Sequence, residues 1–387
     1  MKNFEFHNPT KIIFGKGQVE NIGRKAAEYG QNVLLTYGGG SIKKFGLYDE
    51  VISLLEKEDL NIFELGGIQS NPRLSKVIEG VKICEENNID IILAVGGGST
   101  IDASKAISVG YYHDGDLWKM IKNDGDFEKN LPLGTILTLA ATGSEMNGNA
   151  VITNWNKKEK KAIHEAKYPD FSILDPTNTY TVPRKHTVFG IVDIASHVFE
   201  QYFSHTKSSY LVDSWAEDIL KNLIKKSSVV LSSPENYEAR ADIMLASTMA
   251  FNGIIGMGKE EDWASHAIEH AVSAVYDIPH GAGLSIIFPN WMRYVLASGE
   301  EKFAQYGIEV FDIDPQGKTD KDIALEAIDE TRNWFDRMDA PATLDYYDIS
   351  RDDLDLMADK AVEDGKIGNY KKLDKNDVLK ILKMSYN

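Results

Sequence analysis

Ile89-Asp90-Ile91-Ile92-Leu93-Ala94-Val95-Gly96-Gly97-Gly98-Ser99-Thr100-Ile101-Asp102-Ala103-Ser104-Lys105 reads as an apolar strand, a glycine turn and a helix start in direct succession. Earlier in the chain, Asn32–Tyr37 runs into Gly38-Gly39-Gly40-Ser41 in the same way. Glycine lets the backbone adopt positive φ and come close to a ligand, so that successive amides can face a phosphate. A helix beginning just after the turn adds its positive N-terminal end. Neither turn matches the G-x-G-x-x-G fingerprint or the P-loop. Two tight strand-to-helix connections without a ligand are the alternative. In a parallel sheet, however, both turns would sit at the carboxyl edge, where α/β sheets bind ligands.

Working outward, the first half alternates short apolar runs with amphipathic stretches. Strands are expected at Lys11–Phe14, Asn32–Tyr37, Asn61–Leu65, Ile89–Val95 and Thr135–Leu139, with helical patterns such as Leu47–Lys57 and Ser75–Asn87 among them. Such alternation implies right-handed βαβ units and a mostly parallel sheet. After Pro183 the texture changes. Thr187–Phe203, Leu211–Ser227, Glu238–Phe251, Asp262–Val275 and Asp322–Met338 carry apolar residues at three-to-four spacing, and short helices are expected at Arg351–Glu363 and Asn376–Met384. The expected organisation is α/β: a Rossmann-like parallel-sheet domain over 1–183, binding a dinucleotide, and an all-helical, metal-binding domain over 184–387.

The chain has 387 residues, enough for two substantial cores, and a formal net charge of −17. Such an acidic balance argues against nucleic acid or an anionic membrane surface as the main partner. No run approaches the roughly 20 apolar residues of a membrane span, and Met1–His7 lacks the apolar core of a signal peptide. Cys84 is the one cysteine, which excludes an intramolecular disulfide. A cytoplasmic protein is expected, and acidic enzymes of this size commonly form symmetric dimers. A homodimer is therefore expected too, with the edge strand near Lys11–Phe14 as a pairing surface.

The first glycine turn also bears on coenzyme choice. No acidic residue stands in Tyr37–Ile42, and Lys43-Lys44 follow Ser41-Ile42. A carboxylate there would clasp an adenosine ribose 2′-hydroxyl and repel a 2′-phosphate, so its absence beside lysines favours NADP(H) over NAD(H). The alternative is that the lysines form a solvated helix start. A third turn, Thr138-Leu139-Ala140-Ala141-Thr142-Gly143-Ser144-Glu145, is dense in small hydroxyl residues suited to pyrophosphate and nicotinamide contacts, with an unliganded capped turn as the alternative.

Metal chemistry enters further on. Asp193 and His197 lie at i and i+4, so both side chains leave one face of a helix that is apolar nearly all round. A buried carboxylate must be paired or metal-bound, and an internal Asp–His hydrogen bond is the alternative. His266-Ala267-Ile268-Glu269-His270 fits H-x-x-E-H, the inverted zinc-peptidase signature, in which His266 and His270 would bind zinc while Glu269 activates water. Pro279-His280-Gly281 offers another imidazole, expected on a turn. Spacing leaves open whether His266 pairs with His270 or with His280. Five of the nine histidines fall between His197 and His280, a clustering that chance explains poorly. One carboxylate with several imidazoles suits a divalent transition metal with an open coordination position.

Taken together, Gly38–Ser41, Gly96–Ser99 with Asp102, Thr142-Gly143-Ser144-Glu145, Asp193-Ile194-Ala195-Ser196-His197, His266–His270 and Pro279-His280-Gly281 resemble the iron-containing alcohol dehydrogenase family over nearly the whole chain. The resemblance looks closest to its NADPH-dependent butanol dehydrogenase and broad aldehyde reductase branch. It implies a dehydroquinate-synthase-like fold and assigns the metal to Asp193, His197, His266 and His280. His270 is left unliganded, near nicotinamide and substrate, as a candidate proton relay. Gly96, Gly97, Gly98 and Ser99 match the pyrophosphate loop, Asp102 lies on the nicotinamide side, and Thr138, Thr142 and Lys160 match further coenzyme contacts. Gly40 stands where NAD-preferring relatives often carry an acid, in line with the reading of Gly38, Gly39, Ser41 and Lys43. The implied metal is Fe(II), with Zn(II) its rival.

The expected activity is reversible hydride transfer between NADP(H) and short-chain primary alcohols or aldehydes. A lyase or cyclase of the same fold using bound NAD would need several basic residues around the metal, which the sequence lacks. A zinc peptidase built on 266–270 would leave Asp193, His197 and both glycine turns unexplained. A non-enzymatic metal and nucleotide sensor would show no turnover.

Overall fold

The computed structural model describes residues 1–123, 125, 127–206 and 210–386. The described residues form eight strands: β1 (Lys11–Phe14), β2 (Asn32–Tyr37), β3 (Asn61–Leu65), β4 (Ile91–Gly96), β5 (Leu133–Leu137), β6 (Ala150–Asn154), β7 (Glu159–Ile163) and β8 (Phe171–Leu174). Six of them form one sheet in the order β1-β8-β5-β4-β2-β3, and β6 pairs with β7 as a separate antiparallel hairpin. Every pairing within the large sheet is parallel. Central β4 is buried along its whole length, as expected of a strand covered on both faces, whereas the edge strand β1 is buried nowhere.

Helices α1 (Ile22–Ala27), α2 (Ser41–Lys44), α3 (Leu47–Glu56), α4 (Leu74–Asn87), α5 (Gly98–Gly110) and α6 (Leu117–Lys122) accompany the sheet. The chain leaves β2 for β3 on one side and then crosses to β4 on the other, so the strand order reverses between β2 and β4. Both GGGS turns follow those two strands. A ligand of such a sheet binds in the crevice outside the carboxyl ends at this reversal.

The remaining helices are α7 (Arg184–Tyr202), α8 (Tyr210–Ser232), α9 (Tyr237–Ala250), α10 (Ala264–Tyr276), α11 (His280–Val295), α12 (Glu300–Phe311), α13 (Asp320–Arg337), α14 (Leu354–Ala361) and α15 (Lys375–Met384). The chain forms two compact units. One contains His7–Pro183 and Pro234–Thr248; the other contains Met1–Phe6, Arg184–Ser233 and Met249–Asn387. Two segments thus sit differently from an undivided 1–183 and 184–387. Lys2 reaches Gly258 O through its backbone amide and Glu260 through its ammonium, tying the N-terminus into the helical unit. Thr248 donates to Glu145, tying the end of α9 into the sheet unit.

Several expected boundaries move; α8, for one, runs over Tyr210–Ser232 rather than Leu211–Ser227. The strand expected from Ile89 begins at Ile91, because Asp90 turns its carboxylate back to the Gln31 and Asn32 amides, each at 2.8 Å. The strand expected at Thr135–Leu139 runs two residues earlier, in register with β4 from Ile92↔Leu133 onward. His280, expected on a turn, is the first residue of α11, with Pro279 as its N-cap. Hairpin β6–β7, strand β8 and helices α11 and α12 were not anticipated. The hairpin sequence Glu159-Lys160-Lys161-Ala162-Ile163 carries too few apolar residues to show a strand, and α11 carries Pro289 inside it.

In the helical unit, α7 is buried continuously from Thr187 to Tyr202. Its apolar faces meet a ring cluster in which Phe203 and Phe303 stack with centroids 4.3 Å apart and Phe199 meets Phe288 at 5.1 Å. Helix α11 crosses α7 at Gly281, where a Cβ would stand 2.1 Å from Phe189 O. Only glycine allows that approach, and it brings the start of α11 against the stretch carrying Asp193.

Candidate functional site

The expected ligands converge within the helical unit. Asp193 lies on α7, His266 two residues into α10, and His280 at the head of α11; one donor atom from each lies within 4.8 Å of the other two. His280 Nε2 is 3.6 Å from Asp193 Oδ1, and His197 Nδ1 is 3.5 Å from the same oxygen. The His197 ring stands beside the three-residue cluster, 4.8 Å from the His266 ring and stacked on Phe251 at 4.6 Å. Burial, and then the neighbouring His266, push the His197 imidazole well below its ordinary value, which keeps it in the neutral form that ligates metals.

Two carboxylates orient the imidazoles from behind. Glu200 Oε1 lies 2.8 Å from His266 Nδ1 and also accepts from the His266 amide at 3.0 Å. Its other oxygen accepts from the Trp263 amide at 2.8 Å. Glu269 makes a short contact with His280 Nδ1 and accepts from Ser273 Oγ. Both glutamates are fully buried. Burial pushes the Glu200 carboxyl up to about 8, against backbone amides that favour its ionised form. When Nδ1 donates to a carboxylate, the lone pair is left on Nε2, facing the cluster; this is how metal-binding histidines are commonly oriented. The donor set therefore fits a divalent cation: two oriented imidazoles, one carboxylate and a further neutral imidazole alongside.

The same geometry removes the peptidase reading. A water-activating Glu269 would have to present its carboxylate to substrate, but that carboxylate is buried and committed to His280 and Ser273. His270 sits on α10 one turn beyond His266, half-buried, with its ring 5.3 Å from that of His280 and 6.3 Å from that of His266.

Sequence reasoning missed Glu200 and Trp263. Trp263 caps α10 in the left-handed region, φ +64°, a conformation costing a non-glycine residue about 1–2 kcal/mol. It lays its indole 5.1 Å from the His266 ring and 6.0 Å from that of His197. A buried Glu on an apolar helix face, seven residues after Asp193, was the available signal for Glu200.

In the sheet unit, Gly96–Ser99 end β4 and open α5, whose first amides have no partners within the helix. A Cβ at Gly98 would meet Thr142 Oγ1 at 2.2 Å, so the second and third turns fit together through that glycine. The Thr138 amide donates to Gly96 O at 3.0 Å, adding a second tie between the same turns. At the first turn, Gly40 has φ +111°, and a Cβ on Gly39 or Gly40 would meet open space, which leaves the surface above the turn clear. Asp102 accepts from Ser144 Oγ at 2.6 Å and from the Val151 amide at 3.0 Å. Buried Lys105 holds Ser144, Asn147 and Asn149 at 2.8–3.0 Å. Desolvation raises the Asp102 carboxyl, opposed first by Lys105 and lastly by Lys160 on β7. Lys160 is thus placed to act on Asp102. Gly38, Gly39, Gly40, Ser41 and Lys43 form a second group at the end of β2. The arrangement offers amides, hydroxyls and lysines to a phosphate-bearing ligand outside the carboxyl ends of β2 and β4.

Comparison with known proteins shows the family along nearly the whole chain. Residues 9–176 match the family model for iron-containing alcohol dehydrogenase, and 187–386 match the model for the C-terminal region of that family. The chain is 51% identical to a probable NADH-dependent butanol dehydrogenase 1 of Bacillus subtilis over the full length of both. It is 37% identical to the NADPH-dependent aldehyde reductase YqhD of Escherichia coli over 94% of each chain. The crystal structure of NADH-dependent butanol dehydrogenase A from Thermotoga maritima superposes with a TM-score of 0.96 at 39% identity, covering 100% of this chain and 99% of that one.

Proposed function

The chain belongs to the iron-containing alcohol dehydrogenase family, and from that premise we propose that it interconverts short-chain primary alcohols and aldehydes, using NADP(H) and one divalent metal, Fe(II) in preference to Zn(II). The observation that carries this reading is the convergence of Asp193, His266 and His280 within 4.8 Å, with two of them oriented by buried glutamates. Asp193, His197, His266 and His280 would hold the metal. The sheet unit would bind the coenzyme through Gly38–Ser41, Lys43, Gly96–Ser99, Asp102, Thr138, Thr142 and Lys160.

When bound, the metal supplies a Lewis acid for the substrate oxygen and the nicotinamide supplies the hydride acceptor or donor. The protein does the positioning. Glu200 and Glu269 hold the His266 and His280 rings so that Nε2 faces inward. Lys105 and Ser144 keep Asp102 fixed against the Val151 amide. His270, beside His280 but outside the Asp193–His266–His280 group, is assigned the relay that carries the alcohol proton away.

NADP(H) is the finer part of the reading. It rests on the acid-free Tyr37–Ile42, on the clear space above Gly39 and Gly40, and on Lys43. The relatives divide, since those of Bacillus subtilis are named NADH-dependent and that of Escherichia coli NADPH-dependent. No helix among the described residues is long and apolar enough to cross a membrane. We assign a cytoplasmic enzyme, a homodimer paired through the exposed edge of β1.

The test follows absorbance at 340 nm with butyraldehyde on metal-stripped protein given back Fe(II) or Zn(II). Metal-dependent oxidation with NADPH preferred is the expected result. Equal or better use of NADH would overturn the coenzyme assignment alone. No turnover with either metal would overturn the dehydrogenase assignment.

A further inference from the structure

Lys43 is not a free surface lysine. Its Nζ lies 4.2 Å from the centre of the Tyr48 ring and 4.7 Å from that of Tyr37, and those rings meet edge to face at 5.7 Å. Behind them stands Glu64, on β3. The Tyr37 hydroxyl donates to its Oε2 at 2.7 Å and the Tyr48 hydroxyl to its Oε1 at 2.9 Å, while Lys43 Nζ is 3.7 Å from Oε2. The Tyr37 ring reaches this position because residue 66 is glycine: a Cβ there would lie 2.5 Å from the ring. Four side chains from β2, α2, α3 and β3 therefore make one socket at the end of β2, and its ammonium and its carboxylate both reach the surface.

We propose that Glu64, with Tyr37 and Tyr48, is a positioning and specificity-determining group that fixes the Lys43 ammonium for the adenosine 2′-phosphate of NADP(H). The inference rests on the NADP(H) reading and adds residues to it. Three arguments carry it. An unrestrained lysine must lose rotamer entropy when it captures a phosphate, and here much of that freedom is already lost. The ion pair at 3.7 Å is longer than a strong hydrogen bond, and the ammonium has three N–H groups, so it keeps donors for a ligand. The Glu64 charge, which would repel a phosphate, is partly offset where it stands: each oxygen accepts a tyrosine hydroxyl and the Lys43 ammonium lies 3.7 Å from Oε2. Against the opposing effect of burial, those hydroxyls and Lys43 hold the Glu64 carboxyl below its ordinary value. The Tyr37 hydroxyl, first among several partners, raises Lys43. Both groups thus carry their charge at neutral pH.

The experiment measures KM for NADPH and for NADH on metal-loaded enzyme with saturating butyraldehyde. It compares the wild type with Glu64→Gln, Lys43→Met and the double variant, with Tyr48→Phe as a milder disruption of the same socket. Coupling of an exposed pair translates into an effect of about two- to five-fold. Glu64→Gln is expected to raise KM for NADPH by that factor while moving KM for NADH less, with kcat unchanged. In the Lys43→Met background it adds nothing, and Tyr48→Phe shifts KM in the same direction. If Lys43→Met raises KM for NADPH but Glu64→Gln does not, or lowers it, the socket is overturned and the NADP(H) reading stands. Equal shifts for both coenzymes, or an undiminished Glu64→Gln effect without Lys43, overturn it as well. If Lys43→Met leaves KM for NADPH unchanged, Lys43 does not contact the 2′-phosphate and both fall.

Discussion

At the scale of single residues, the proposed metal site depends on buried carboxylates that orient its imidazoles. Glu269 fixes the His280 ring through Nδ1 and Glu200 fixes that of His266. Replacing such a partner typically costs about 10- to 100-fold in metal affinity. Glu269→Gln is therefore expected to weaken Zn(II) binding by that order in a chelator competition while the fold, followed by circular dichroism, persists. Unchanged affinity would mean that α11 alone orients His280. Cys84 gives a second expectation. It is fully buried, and desolvation pushes its thiol up to about 12, so the reactive thiolate is scarce at neutral pH. Titration with a chromogenic disulfide is expected to find no reacting thiol in the native protein and one after denaturation. At this scale much was legible. A carboxylate and an imidazole four apart on an apolar helix mark each other as candidates, so the pairing of Asp193 with His197 at 3.5 Å was legible in the spacing. Trp263 could not, because a left-handed tryptophan leaves no mark in the sequence.

At the scale of elements, two glycines act as spacers, Gly281 against a backbone carbonyl and Gly98 against the Thr142 side chain. Gly281→Ala would drive a methyl group into the Phe189 carbonyl and force α11 away from α7. Overpacking of this kind costs about 1–3 kcal/mol, and a fall in Tm of several degrees with weakened metal binding is expected in a thermal melt with and without Zn(II). Gly98→Ala would strike Thr142 and displace the start of α5. It is expected to raise KM for coenzyme while leaving metal affinity intact, since Gly98 and the metal ligands belong to different units. Loss of both functions would contradict that independence. Strands β2 and β3 were readable because their apolar runs are bounded by turn residues, and α4 because its period is clear. The β6–β7 hairpin was not: Lys160 and Lys161 sit in a strand held by pairing to Thr153 and Ile152, a contact that local hydrophobicity does not report.

For the whole molecule, the proposed ligands lie on α7, α10 and α11, so one ion would join three helices of the helical unit. A ligand binding only the folded form stabilises it by about 2.7 kcal/mol at 100 times its Kd. Removal of metal by a chelator is expected to lower Tm on the order of 5–10 °C, and restoring Zn(II) should recover it; an unchanged melt would mean that the donors are held by the fold alone. The sequence by itself determined the class of the fold, the alternation of strands and helices as far as β5, and the residue types able to hold a metal and a phosphate. Those follow from periodicity, glycine placement and the cost of burying charge, all of which act locally along the chain. Tertiary structure decided which donors meet. It chose His280 over His270 as the partner of Asp193 and His266, placed Glu269 behind a ligand rather than before a substrate, and set Glu64 behind Lys43 from a different strand. These choices are made by helix crossings and strand pairings between residues distant in sequence, and spacing along one element carries no trace of them.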